Sequence, residues 1–434
     1  MNAWQNWSGL ESAAPAATLA PSSTAEIVDV VTRARERREP VKMVGTGHSF
    51  TAIAAPEHTM LQPTHLSGIL SVDRTAMTVT ALAGTPLKQL NAELERLGLS
   101  LHNMGDIAEQ TLAGAVSTGT HGTGGLMSGL AAQLAGLQLV TGTGEVLDAS
   151  PHENPDVFDL ARVGLGALGI LTTLTFRVEP LFVLEADERP GTWGDTLAAY
   201  DDLVEAHHHV DLYWFPHTDR MLVKTNDRLD VLLGEAEPLP RWRSWLDDEF
   251  LSNTFFGVLT RGLNRFPAAI PRANELAART LTARTYSDVA HRVFVAERSV
   301  VFREMEYAVP REAGLAALRE ARRVIEQSDW RISFPVEIRC ARAEDVPLST
   351  AQGRDSVYLA FHVHRDADHT AYFREVEQVM VDHGGRPHWG KVHTRTADDL
   401  APSYSRFADF LALRDRLDPD RIFTNAYLRR VLGD

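Results

Sequence analysis

Apolar and polar positions change rhythm several times along the chain. Ile27, Val30, Val31 and Ala34 recur at helical spacing behind Ser23-Thr24-Ala25-Glu26, which fits a capping box. Arg35, Arg37 and Arg38 suit the negative end of that helix, and Pro40 stops it. Residues 40–44 read as a short strand that runs into a Gly-rich turn, Gly45-Thr46-Gly47-His48-Ser49-Phe50. Ala76 to Ala83 alternates like a strand, and Pro86 to Leu97 reads as a helix. Two apolar runs around Gly142-Thr143-Gly144 predict a hairpin, and Ile170 to Val178 is a further β-rich run. Mixed elements of this kind predict an α+β domain through residue 180.

Beyond that point the pattern is less regular, with segments such as Pro238-Leu239-Pro240-Arg241-Trp242-Arg243-Ser244-Trp245. Arg311 to Gln327 is helical in period. Phe334 to Cys340 and Ser356 to His364 predict paired strands of a second sheet. Tyr372 to Asp382 predicts a helix, and the tail from Tyr404 has helical spacing. Ala13 to Ser23 is of low complexity and reads as an arm.

A chain of 434 residues suggests two or three domains. With 43 basic and 58 acidic residues the net charge is −15, a poor match for nucleic acid or anionic membrane. Cys340 is the single cysteine, which excludes an intrachain disulfide and zinc-ribbon ligand sets and fits a reducing compartment. The opening residues lack a basic start and a continuous apolar run, and no stretch approaches membrane-helix length, so a soluble cytoplasmic protein is expected.

Gly164-Leu165-Gly166-Ala167-Leu168-Gly169 satisfies a dinucleotide fingerprint literally, yet its strand comes after it, so a tight backbone passage is the better reading. The 45–50 turn and a second small-residue run, Gly114 to Gly124, offer backbone to a long ligand carrying a diphosphate. His207-His208-His209 point in diverging directions and read as a packed or solvated run rather than a metal site. Glu337 and Arg339 share one strand face, with Ile338 and Cys340 on the other. They are either a surface ladder pair or a buried pair in a site. His362 lies on the other strand, on one face with Ala360, and residues 386–393 gather two histidines, a tryptophan and a lysine.

Taken together, VGTGHSF (44–50), NMGD (103–106), STGTHGTG (117–124), GLGALG (164–169), EIR (337–339), GRPHWGKVH (385–393) and DPDRIFTNAYLRRVLG (418–433) resemble the FAD-linked aldonolactone oxidoreductases and alditol oxidases. These have the two-domain vanillyl-alcohol-oxidase/p-cresol-methylhydroxylase-type FAD fold with a substrate cap. The resemblance implies an FAD-binding domain over 1–180, a cap over 181–401, and a segment over 402–434 that returns to the FAD domain. It implies FAD contacts at Gly45, Thr46, Gly47, Ser49, Gly114, Ser117, Thr118, Gly119, His121, Gly122 and Ile170. His48 stands where the family links the flavin covalently. Gly105 stands near the flavin's oxygen-reactive carbon, and Asp106 replaces a serine that touches polyol in alditol oxidases. Glu337, Arg339 and Lys391 match residues around the reacting carbon, with His362 as a further candidate. No metal is implied. The expected reaction is oxidation of a sugar 1,4-lactone, such as L-gulono- or D-arabinono-1,4-lactone, by hydride transfer to flavin N5. Oxygen, a cytochrome or an artificial dye would serve as acceptor. The alternative is an alditol oxidase acting on xylitol or sorbitol.

Overall fold

The computed structural model describes residues 3–124, 129–240, 266–295 and 300–434. The segment around Trp242 and Trp245 lies outside them. A three-stranded parallel sheet comes first, with β1 (Ala17–Leu19) and β2 (Val41–Met43) on either side of β3 (Thr59–Leu61). The expected arm therefore contributes a strand, a correction with a simple cause: parallel pairing with β3 satisfies backbone that the local composition does not mark. Helix α1 (Thr24–Arg37) connects β1 to β2. Ser23 caps it, while the Glu26 carboxylate reaches back to the Ser22 backbone N–H at 2.7 Å.

A five-stranded antiparallel sheet follows, built from β4 (Ile69–Asp73), β5 (Thr78–Leu82), β6 (Leu134–Val140), β7 (Val146–Ala149) and β8 (Ile170–Arg177) in the order β7-β6-β8-β5-β4. Helices α2 (Leu87–Leu97) and α3 (Leu112–Ser117) pack beside it. The same core takes in Phe410 and Leu413 of α6 (Phe407–Leu417) and Leu428 and Val431 of α7 (Ala426–Leu432). The helical tail is split in two because Asp418 turns the chain, accepting from the Ile422 and Phe423 backbone N–H groups at 2.9 Å each.

Between these parts lies an eight-stranded antiparallel sheet. Its strands are β9 (Val183–Thr192), β10 (His209–Trp214), β11 (Arg220–Leu229), β12 (Arg284–Val289), β13 (Phe302–Pro310), β14 (Val336–Ala341), β15 (Ser356–His364) and β16 (Arg386–Pro387), ordered β12-β9-β11-β10-β14-β15-β13-β16. One face is apolar: Leu212, Trp214, Ile338, Cys340, Leu359 and Phe361 pack under α4 (Arg311–Gln327) and α5 (Thr370–Asp382). Period-two alternation sends Asp211, Tyr213, Glu304, Glu306, Glu337, Arg339 and His362 to the opposite face. The sheet thus divides the cap core from the polar chemistry.

Two outcomes follow from this packing. Phe361 is fully buried in the middle of β15, so Phe361→Ala should cost about 3–5 kcal/mol in a denaturant titration. His393 couples the cap to α7, donating from Nε2 to the Tyr427 hydroxyl at 2.9 Å while Tyr427 donates to the Trp389 carbonyl at 2.8 Å. Burial lowers its pKa to about 3. The unfolded chain, with an imidazole near 6.5, binds more protons below that pH, so stability is lost as pH falls from about 6.5 toward 3. At pH 5 the His393 share is on the order of 2 kcal/mol. Thermal melts at pH 7.5 and 5 should show a smaller acid loss in His393→Asn than in the wild type.

Candidate active site

A cleft of about 920 Å³, counting its open mouth, runs through the first unit. It is bordered by the 45–49 turn, by Gln110, Thr111, Gly114, Ser117 and Thr118, and by Gly166 and Ile170. Six glycines, Gly45, Gly47, Gly84, Gly114, Gly166 and Gly169, are among the residues that line it. Gly47 has φ +72°, a conformation that favours glycine, and a Cβ on Gly45 would come within 2.5 Å of Thr111 Oγ1. Lys42, on β2, also borders the cleft. Its Nζ donates to the carbonyls of Gly166 and Phe423 at 3.1 and 3.3 Å, and burial lowers its pKa to about 7. A buried lysine whose hydrogen bonds to described residues go to carbonyls, set in a glycine-rich cleft, suits a long cofactor carrying a diphosphate. His48 stacks on Trp7 with ring centroids 5.6 Å apart, and burial lowers its pKa, which favours the neutral ring.

A second pocket of about 440 Å³, again counting its open mouth, lies against the polar face of the large sheet. Gly105, Asp106, Gly122, Asp211, Tyr213, Lys224, Asn226, Glu337 and Arg339 border it. Arg339 donates to Glu337 Oε1 from Nε at 3.0 Å and from Nη2 at 2.6 Å, and the Tyr213 hydroxyl donates to the same oxygen at 3.0 Å. Asp106 and Asp211 each stand 3.6 Å from the guanidinium. Burial alone would weaken the Arg339 cation, but Glu337, Asp106, Glu306 and Asp211 hold its pKa well above the usual arginine value. Of the two readings of Glu337 and Arg339, the buried pair is the one present. The two cavities share a partition: Thr120 donates to Gln110 of the cleft at 3.3 Å, and its methyl group would lie 3.4 Å from a Cβ on Gly105.

Lys391 and His362 meet around a different carboxylate. Glu304 pairs with Lys391 Nζ and lies 3.6 Å from His362 Nε2, while His362 Nδ1 donates to the Pro335 carbonyl at 3.2 Å. Burial opposes ionisation of Glu304, yet its neighbours, Lys391 foremost, bring its pKa down to about 2. Glu306, two residues along the same face, sits 3.5 Å from His121 Nε2, and ligand-capable atoms of His121, Glu306 and His388 lie within 4.8 Å of one another. His121 stacks on Tyr358 at 3.7 Å.

Several sequence candidates therefore fall away from the first cleft. Asp106, Gly105 and Gly122 border the second pocket, and His121 lies against the cap strands. Gly119, with φ +76°, lies beside Val163. Leu165 and Gly166 both have positive φ, so GLGALG is the tight passage expected. His207 pairs with Asp227, and His209 is buried against Phe294, so the histidine run is packed. Sequence reading missed Lys42, Asp211, Lys224, Glu304 and Glu306. The alternation Phe302-Arg303-Glu304-Met305-Glu306-Tyr307 was the available signal, since it places two acids on one face of a strand whose other face carries Met305 and Tyr307.

Fold and cleft together define an FAD-dependent oxidoreductase with the vanillyl-alcohol-oxidase/p-cresol-methylhydroxylase-type fold. Residues 15–150 match the FAD binding domain, and residues 174–431 match D-arabinono-1,4-lactone oxidase. The chain belongs to the D-arabinono-1,4-lactone oxidase family. It is 40% identical to L-gulono-1,4-lactone dehydrogenase of Mycobacterium tuberculosis over 99% of both chains. It is 32% identical to L-gulonolactone oxidase of Bos taurus, over 99% of this chain and 98% of that one. Cholesterol oxidase from Brevibacterium sterolicum shares the fold, with a TM-score of 0.80 at 18% identity over 99% of this chain and 96% of that one. These relatives do not favour the alditol oxidase alternative. Among the described residues no helix is long and apolar enough to cross a membrane.

Arg339→Ala should lower turnover by about 100- to 1,000-fold. The flavin-to-protein absorbance ratio of the purified variant should stay at the wild-type level. Unchanged turnover would remove Arg339 from the chemistry.

Proposed function

We propose that this protein oxidises a sugar 1,4-lactone such as L-gulono- or D-arabinono-1,4-lactone. What carries the reading is the Glu337–Arg339 pair in a polar pocket one wall away from the cofactor cleft, in a chain 40% identical to an L-gulono-1,4-lactone dehydrogenase. FAD, when bound, supplies the acceptor for the hydride that leaves the hydroxyl-bearing carbon. The residues of the first cleft, with Lys42 among them, hold the cofactor. We read residues 1–180 and 402–434 as the FAD-binding unit and 181–401 as the cap.

Glu337 accepts from the substrate hydroxyls, and Tyr213 and Arg339 keep its carboxylate in place. Arg339 brings fixed positive charge to a site where negative charge develops. Lys391, paired with an ionised Glu304, serves as an ammonium that polarises a hydroxyl oxygen. His362 completes that cluster as the group to take the proton. The reading extends to a covalent flavin bond at His48 and to a cytoplasmic enzyme, in keeping with its one buried cysteine.

Anaerobic addition of L-gulono-1,4-lactone should bleach the flavin absorbance. No bleaching with either lactone would overturn the assignment. Colour that returns on admitting air identifies oxygen as the acceptor; colour that returns only with a cytochrome or dye identifies a dehydrogenase. Acid-precipitated wild type should retain flavin, and His48→Ala should release it.

A further inference from the structure

A single row of directly opposed residues crosses the large sheet. Arg284 faces Glu188, Glu188 faces Lys224, Lys224 faces Asp211, Asp211 faces Arg339, and Arg339 faces Tyr358. Charge alternates in sign along five consecutive strands. Opposite charges placed directly across a sheet attract, so each member fixes its neighbours. Arg284 Nε reaches Glu188 at 2.7 Å, and Lys224 Nζ lies 3.9 Å from the same carboxylate.

Asp211 differs from the rest of the row. Glu188 accepts a hydrogen bond from Arg284, Lys224 donates to the Val293 carbonyl at 3.3 Å, and Arg339 donates to Glu337. The Asp211 carboxylate receives no hydrogen bond from a described residue, since Arg339 at 3.6 Å is beyond hydrogen-bond length. Burial raises its pKa to about 6 against the opposing pull of Arg339, as fits a carboxylate short of donors. Its side chain nevertheless borders the second pocket, where water or substrate supplies donors. Neighbouring strands lie about 4.8 Å apart, so the stretch from Arg339 across Asp211 to Lys224 spans about 10 Å. A five-membered lactone ring seated at Arg339 leaves the Asp211 end for whatever the ring carries.

We propose that Asp211 is a specificity-determining residue, whose carboxylate accepts hydrogen bonds from the hydroxyls on the exocyclic side chain of the sugar lactone while Glu337 and Arg339 engage the reacting hydroxyl. Lys224 and Asn226 border the same end of the pocket and hold the remaining oxygens. The assignment rests on the lactone reading of the site.

The test compares L-gulono-1,4-lactone with L-erythrono-1,4-lactone, which keeps the ring and both ring hydroxyls but lacks the side chain. Steady-state kinetics and dissociation constants from flavin absorbance are measured for wild type, Asp211→Asn and Asp211→Ala. The preference for the full sugar lactone over the truncated one should fall by about 10- to 100-fold in both variants, chiefly through KM and the dissociation constant. An equal loss on both lactones would make Asp211 a prop for Arg339 and overturn the proposal, as would a preference that does not move. Wild type that is neither bleached nor spectrally perturbed by the two lactones would instead defeat the lactone reading, and the assignment with it.

Discussion

A buried guanidinium organises this molecule. Arg339 has lost most of its water, and an uncompensated cation there would cost several kcal/mol. Compensation arrives from separate parts of the chain: Glu337 on its own strand, Asp211 on the next, and Asp106 from the first unit. Since Asp106 belongs to the segment between α2 and α3, the arginine joins the cap to the cofactor unit by charge. A displaced cap would strand the cation, so the same interaction that prepares the site also sets the cap's placement.

The large sheet makes this arrangement possible. Its strand β15 is buried on both sides, yet the two sides of the sheet are chemically unlike: one is aliphatic and aromatic beneath α4 and α5, the other carries paired charges. Helix packing holds the backbone, and the backbone in turn presents the charges at fixed intervals. Glu304 reaches Lys391 and Glu306 faces His121 from β13, while Glu337 and Arg339 pair with each other on β14. Preorganisation of this sort spares the site from rearranging when charge moves.

Much of the fold was legible because local rules governed it. Ser23 and Pro40 bracket α1, the turn around Gly142-Thr143-Gly144 joins β6 to β7, and Arg311 to Gln327 is one helix from end to end. Glu337 and Arg339 were legible for the same reason, a strand's period of two. Asp211 and Lys224 were not. Asp211 meets Arg339 because β10 pairs with β14 across more than a hundred residues of chain, and Lys224 is drawn in through its place opposite Asp211 on β11. The strand Ala17–Leu19 was missed on the same ground, because its partner, rather than its composition, makes it a strand. Lys42 looked like an ordinary strand lysine, and only tertiary burial reveals its strained protonation.

The return of α6 and α7 to the first core bears on synthesis. Leu428 and Val431 complete a hydrophobic cluster whose other members lie mostly before residue 180, and Asp418 pins its turn beside Gly142. The nascent chain must therefore wait for residues 407–432 to leave the ribosome before the core built on residues 53–178 can close. The intervening cap, with its own apolar nucleus, has time to condense first. Such long-range closure slows folding and leaves the half-made cofactor unit as the species that chaperones would meet.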